Sequence, residues 1–370
     1  MAEQFIPGAR ISIRPSERED MLNLLKDVLD SNKFLFGPMV SELEQAVAAY
    51  TSRDSVTGVS SGTSALEIIL RTIDIVGKEV IVPANTFYAT AGAVVHAGGC
   101  PVFADVGSDL MLTTESVDAV RTARTVAVIA VHIGGMISSS FESLAKYSTE
   151  NGLNLVEDAA HAIGSRIGLD HVGSRSVAAA ISLYPTKIVT AGEGGLILTD
   201  SSKVREEAIL LRDQGKVPHS DNVHTRAGYS WRLSEFHAAV GRIHLKSLED
   251  TIARKRQIAR IYDKELLGSC VSIISEPAGH RWNRHRYIVL ADTASRAETI
   301  VGQLKVRGIG VATKTFALPL HRQPIFAEYS DGVKLPIADD VCARHICLPI
   351  HGDMSDSEIA RVVSAMHSIN

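Results

Sequence analysis

The chain has 370 residues, 45% of them hydrophobic, and a formal net charge of −4. That length exceeds one simple core and predicts two domains with large apolar interiors. With no basic block, no zinc-like Cys/His spacing and no interleaving of aromatic and basic residues, the sequence excludes a nucleic-acid footprint and gives no metal site. The four cysteines, Cys100, Cys270, Cys342 and Cys347, are mostly scattered, which predicts reduced thiols in a cytoplasmic protein. Residues 1–7 lack a basic stretch followed by a long apolar one, so no secretory signal is expected. The longest apolar run, 126–131, is far too short to span a bilayer and reads as a buried strand.

Near the start, Ser16-Glu17-Arg18-Glu19 reads as a capping box. Met21, Leu24, Leu25, Val28 and Leu29 then form the apolar stripe of an amphipathic helix. From about Val56, β-rich runs alternate with helical stretches. Runs 80–82, 102–103, 126–131, 153–156, 180–183 and 196–198 predict strands, and 64–73, 88–97 and 141–150 predict helices. This alternation predicts α/β layering around a largely parallel sheet buried on both faces. Its connections should be right-handed, and a ligand should sit beyond the carboxyl ends of the strands. After Ser234 a helical pattern rich in Arg and Lys runs to about Leu267. Beyond it, 287–290 reads as a strand, 294–307 as a helix ending at Gly308, and 356–368 as a last helix. The expected division is a large domain, 30–245, and a smaller α+β domain built from 1–29 and 246–370.

Four short segments could carry chemistry. Val59-Ser60-Ser61-Gly62-Thr63-Ser64 passes from a strand through small residues into a helix. Gly62 lets the backbone approach an anion, and Thr63 and Ser64 offer amides and hydroxyls at a positive helix end; an ordinary N-cap has the same composition. No Walker lysine and no Gly-x-Gly-x-x-Gly follow the first strand, which counts against nucleotide-binding fingerprints. Leu153-Asn154-Leu155-Val156-Glu157-Asp158 is a buried strand ending in acid, with His161 close behind. Asp158, at the tip, could keep a pyridine nitrogen protonated or could cap the next helix. His161 could lie near a ring hydroxyl or be a core histidine. Phe87, just past a strand end, could stack on a planar heterocycle or fill the core. Lys187, in Ser182-Leu183-Tyr184-Pro185-Thr186-Lys187, follows an apolar run and precedes Gly192-Glu193-Gly194-Gly195. A lysine so placed can form a Schiff base with an aldehyde cofactor when its amine is neutral. Together these are the parts of a pyridoxal phosphate site.

In this order the segments resemble the DegT/DnrJ/EryC1/StrS family of sugar aminotransferases. The likeness begins at Phe36-Gly37-Pro38 with Glu42 and Glu44. It runs through Ser61-Gly62-Thr63-Ser64-Ala65-Leu66, Thr86-Phe87, Val131-His132-x-Gly134-Gly135 and Glu157-Asp158-Ala159-Ala160-His161 to the lysine segment. It continues in Gly228-Tyr229-Ser230-Trp231-Arg232, Glu235, Pro319-Leu320-His321 and Leu348-Pro349. The resemblance implies a fold type I α/β enzyme, with a mostly parallel sheet between helices and a smaller α+β C-terminal domain. It implies pyridoxal 5′-phosphate on Lys187, which would also shuttle the proton between cofactor and substrate. Gly62, Thr63 and Ser182 match phosphate contacts, Asp158 the partner of the ring nitrogen, Phe87 the stacking residue, and His161 a position near the ring hydroxyl. The implied assembly is a homodimer with shared active sites. The family's asparagine that reaches the neighbour's phosphate is here Ser230, a shorter side chain with one donor. The implied amino donor is glutamate or glutamine. The implied acceptor is a keto sugar, most often nucleotide-linked, alternatively a sugar phosphate or a keto-cyclitol. Tyr184, Lys314 and His321 are expected to meet substrate, with Arg226, Arg232, His285, Arg286 and Arg322 as further candidates for anionic groups. Lys314-Thr315-Phe316 departs from the family's common His-Tyr. Rival readings on the same cofactor are a lyase, an aldolase or a dehydratase; relatives that dehydrate carry histidine where this chain has Lys187. A regulator or scaffold built on the same fold is the non-enzymatic rival.

Overall fold

The computed structural model describes residues 5–218, 222–312 and 316–369. Its main sheet uses β1 (Ser55–Val59), β2 (Glu79–Pro83), β3 (Cys100–Ala104), β4 (Thr125–Val131) and β5 (Asn154–Asp158). After two-residue strands β6 (Arg166–Ile167) and β7 (Asp170–His171), it adds β8 (Ala178–Ser182) and β9 (Gly195–Thr199). The spatial order is β3-β2-β4-β5-β8-β9-β1. The strands from β3 to β8 pair in parallel, and β9 alone is reversed, antiparallel to both β8 and β1. Helices cover both faces, which is why runs such as Val80-Ile81-Val82 and Leu196-Ile197-Leu198 are apolar without alternation and fully buried. The predicted α/β class and largely parallel sheet are what the chain adopts.

The helices of this part are α1 (Pro15–Ser31), α2 (Pro38–Thr51), α3 (Gly62–Thr72), α4 (Tyr88–His96), α5 (Thr114–Asp118), α6 (Phe141–Glu150), α7 (Ser202–Arg212), α8 (Glu235–Lys246) and α9 (Leu248–Glu265). Two helix expectations change. The N-cap of α1 is Arg14 rather than Ser16: Pro15 takes the first helical position, where its missing N–H costs nothing, and Glu17 accepts from the Arg14 amide at 2.7 Å. The long pattern after Ser234 is two helices, broken at Ser247, whose backbone leaves the helical region and whose hydroxyl bonds the His244 carbonyl. The start of α2 rests on Glu235, whose buried carboxylate accepts from the amides of Met39 and Val40 at 2.7 and 3.1 Å. A carboxylate at that helix end satisfies orphan donors and complements the helix dipole.

The C-terminal part holds β10 (Val271–Ile273), β11 (His280–Arg281), β12 (Tyr287–Ala291), β13 (His345–Leu348), α10 (Ala294–Val306), α11 (Pro336–Arg344) and α12 (Asp356–His367). β12 is the middle strand of an antiparallel trio with β10 and β13. Strand alternation divides it between two apolar cores. Ile288 and Leu290 pack into the core of the main sheet, while Tyr287, Val289 and Ala291 pack into a second core with α9, α10 and α12. Ile6 joins the second core through hydrogen bonds with Gly308 and Gly310, whereas α1 lies along α8 and sends Val28 into the first.

Candidate active site

A cavity of about 430 Å³ opens at the carboxyl ends of the strands. Its walls come chiefly from the turns that leave β1, β2, β4, β5 and β8 and from the segment that enters β12. Gly62 and Thr63 start α3, Phe87 precedes α4, Asp158 ends β5, Ser182 ends β8, and Lys187 lies in the loop beyond. His161, Tyr184 and Arg286 complete the part that concerns chemistry.

The turn into α3 is capped by Ser61, whose hydroxyl accepts from the Ser64 amide at 3.0 Å while Ser64 Oγ accepts from the Ser61 amide at 3.0 Å. This reciprocal cap leaves the Gly62 and Thr63 amides outside the box, at the helix end that favours an anion. Gly62 is required by packing: a β-carbon there would stand 2.9 Å from Ser182 Cβ. The close approach brings the Ser182 hydroxyl beside the same helix end.

Asp158 is buried, and its position at the tip of β5 turns its side chain into the cavity. Glu157, one residue earlier, points elsewhere and accepts from His132 Nε2 at 2.8 Å and from the Gly173 amide at 3.0 Å. Thr90 donates to Asp158 Oδ2 at 2.7 Å and in turn receives a hydrogen bond from Thr86, 2.9 Å away. The Ala160 amide donates to Oδ1 at 3.2 Å. Burial pushes the carboxyl pKa up, and the bonds from Thr90 and Ala160 with the charge of Lys187 oppose it. The site therefore holds a carboxylate that is costly to ionise alone and gains from a cationic partner.

Lys187 faces the same cavity. Burial lowers its pKa from 10.5 to about 8, Asp158 works against that drop, and Arg286 adds to it. A lysine so placed gives up its proton far more readily than a solvated one, and its neutral amine becomes the main form only above about pH 8. His161 accepts from the Gly134 amide through Nδ1 at 3.2 Å, which puts its proton on Nε2. Burial, then Lys187 and Arg286, drives its pKa well below the usual value, so the ring is neutral. It lies 4.4 Å from the ring of His285, at 35°. Phe87 is 64% exposed and offers an apolar face on the cavity wall.

Nine of the candidate site residues named from the sequence line one cavity: Gly62, Thr63, Phe87, Asp158, His161, Ser182, Tyr184, Lys187 and Arg286. His285, Ser230, His321 and three arginines do not. Ser230 bridges Asp213 by backbone pairing, and its hydroxyl bonds Arg232. His321 is buried beside Asp339, with Nε2 at 3.2 Å from the carboxylate. Lys314 lies outside the described residues. Arg226, Arg232 and Arg322 are each paired with a carboxylate away from this cavity, on Glu207, Asp213 and Asp339. Thr90 was not anticipated; it is the third residue of α4, and a hydroxyl in the first turn of a helix gives no sequence signal of a remote carboxylate partner.

The donor set fits pyridoxal phosphate. A buried carboxylate awaits a cation, a poised lysine faces it, an exposed aromatic ring lines the wall, and a capped helix end is open to an anion. Fold and cavity together define a fold type I pyridoxal phosphate enzyme. The chain belongs to the DegT/DnrJ/EryC1/StrS aminotransferase family, which it matches over residues 15–367, and it is an aminotransferase. It is 32% identical over 354 residues to the "Pleiotropic regulatory protein" of Geobacillus stearothermophilus, covering 94% of this chain and 93% of that one. Its fold is similar to that of S. venezuelae DesV, with a TM-score of 0.93, 30% identity and coverage of 99% and 98%. It also shares the fold of NtdA from Bacillus subtilis, solved with bound PMP, at a TM-score of 0.90, 23% identity and coverage of 100% and 86%.

Proposed function

We propose that this aminotransferase moves an amino group from glutamate or glutamine to a keto sugar, in the first instance one joined to a nucleoside diphosphate. Sugar phosphates and keto-cyclitols are the next acceptors to consider. The observation that carries the reading is the presence of Lys187 and Asp158 in one cavity, with the lysine's pKa brought down to about 8. Membership of a sugar aminotransferase family supports the acceptor class.

Pyridoxal phosphate supplies an electron sink that lets a carbon bearing an amine give up its proton. Asp158 would hold the ring nitrogen in its protonated form, and Thr90 keeps that carboxylate oriented and charged. Gly62, Thr63 and Ser182 would hold the phosphate, and Phe87 would cover one ring face. His161, a neutral Nε2 donor, would bond the ring hydroxyl. Lys187, once released as an amine, takes the α-proton of the donor as a general base and returns it one position away; a pKa near the working pH suits both transfers. Tyr184, exposed at the cavity mouth, would meet substrate. Two copies of the chain would form the working unit, with Ser230 passed to the neighbour's site. Among the described residues no helix is long and apolar enough to cross a membrane, and the setting proposed is the cytoplasm.

The test has two stages. Borohydride reduction of the holoenzyme should fix the cofactor on Lys187, read by peptide mass; an adduct elsewhere removes the mechanism. A panel of nucleotide-linked keto sugars, sugar phosphates and keto-cyclitols is then assayed for glutamate-dependent amination. Absence of turnover with every keto sugar would overturn the acceptor class.

A further inference from the structure

One cation on the cavity wall is left without a role in the proposed amino transfer. Arg286 lines the cavity that holds Lys187 and Asp158. Among the described residues it is the only arginine there, and no carboxylate pairs with it. Its Nε is buried without a hydrogen-bond partner. That nitrogen has lost hydration that nothing among the described residues returns.

The backbone holds this side chain firmly in place. Arg286 stands just before β12, and its Cβ, like the side chain of Ile288, lies against Gly134, which sets it on the large-domain side. Its amide donates to the Gly134 carbonyl at 3.0 Å, the same residue whose amide fixes His161. Just before it, the His285 amide donates to Asn283 Oδ1 at 2.9 Å, and the His285 carbonyl accepts from the buried Lys255 ammonium group at 3.2 Å. Asn283 Nδ2 donates to the carbonyls of His161 and Ile163, both at 2.8 Å. Gly135 makes room for Asn283: its φ is +83°, and a β-carbon would lie 1.8 Å from Asn283 Oδ1. Five hydrogen bonds around one loop are more than a surface arginine needs, and they preorganise the guanidinium toward the cavity.

We propose that Arg286 receives a carboxylate of a substrate and thereby sets which acids this aminotransferase accepts. The proposal rests on the amino-transfer reading above. A guanidinium suits it because its planar fork bonds both carboxylate oxygens. The carboxylate can come from the amino donor or from an acidic sugar, and the experiment separates the two.

Holoenzymes of the wild type, Arg286→Met and Arg286→Lys are compared in single-turnover reactions followed by cofactor absorbance. One arm titrates glutamate. A second charges the enzyme with the amino group and titrates a nucleotide-linked keto sugar bearing a C6 carboxylate against its neutral C6-hydroxymethyl counterpart. A third measures cofactor dissociation. Loss of a charge-assisted pair corresponds to a rise in dissociation constant of roughly 10- to 100-fold in Arg286→Met, with Arg286→Lys between. That rise in the glutamate arm assigns the donor carboxylate; a rise confined to the acidic sugar assigns the acceptor. Cofactor affinity should stay within about twofold. If neither arm moves, or if cofactor affinity falls by the same factor, the proposal is overturned while amino transfer by the wild type stands. A wild type silent towards both arms would instead overturn the amino-transfer reading, and this proposal with it.

Discussion

Replacing Lys187 with methionine should make the cofactor-free protein more stable at neutral pH. The ammonium of Lys187 is costly where it lies, chiefly through burial, and its pKa falls from 10.5 to about 8. At about 1.4 kcal/mol per pH unit this amounts to about 3 kcal/mol of lost stability below pH 8. Between about pH 8 and 10.5 the unfolded chain holds a proton that the folded chain has released, so wild-type stability rises with pH across that window. Below pH 8 both states carry the proton and the penalty is complete. Above 10.5 both are neutral and it is gone. Methionine has similar length, no charge and no titration. Apo wild type and apo Lys187→Met, at equal protein concentration, should therefore differ by up to about 3 kcal/mol in denaturant unfolding at pH 7 and converge near pH 10.5. Equal stability at pH 7, or a gap that does not close on raising the pH, would refute the claim that the site holds its lysine at the expense of the fold.

Two further substitutions probe the same cavity. Thr90→Val keeps the shape and removes the donor to Asp158, so the carboxyl pKa rises further and the charge that would bind the ring nitrogen weakens. The cofactor dissociation constant, read by absorbance titration, should increase roughly tenfold or more, and an unchanged value would show that Thr90 is incidental. Gly62→Ala improves helix propensity at the start of α3 but drives a carbon to 2.9 Å from Ser182 Cβ. Overpacking of about 1–3 kcal/mol should win over a propensity gain of up to about 1 kcal/mol, giving a protein less stable to urea; a more stable variant would show that the turn has room to spare.

Much of this molecule was legible because local signals agreed with the global fold. The apolar runs at β2, β4 and β9 carry no alternation, as befits strands covered on both faces, and α6 was bounded at Phe141 and Glu150 by its own periodicity. Asp158 rather than Glu157 reaches the cavity because adjacent strand residues face opposite ways, which a strand ending in acid already implies. What escaped depends on contacts remote in sequence. No periodicity marks β9 as reversed, since its residues are apolar on both faces whichever way it runs. The break at Ser247 hides in a continuous helical pattern because one bent residue leaves the composition on either side unchanged. Arg286 was one of several basic candidates of equal standing. What separates it from Arg226, Arg232 and Arg322 is that it has no carboxylate partner among the described residues, a property of the folded chain alone.

β12 faces two cores at once, with Ile288 and Leu290 on one side and Tyr287 and Val289 on the other. Such a strand acts as a party wall: neither compartment can swell, slide or be redesigned without the other registering it. Arg286 enters that wall at its edge. Movement of the C-terminal compartment would therefore be transmitted to the reaction chamber as a displacement of charge, and changes to α10 or α12 made for solubility or heat tolerance belong on the list of things that alter catalysis.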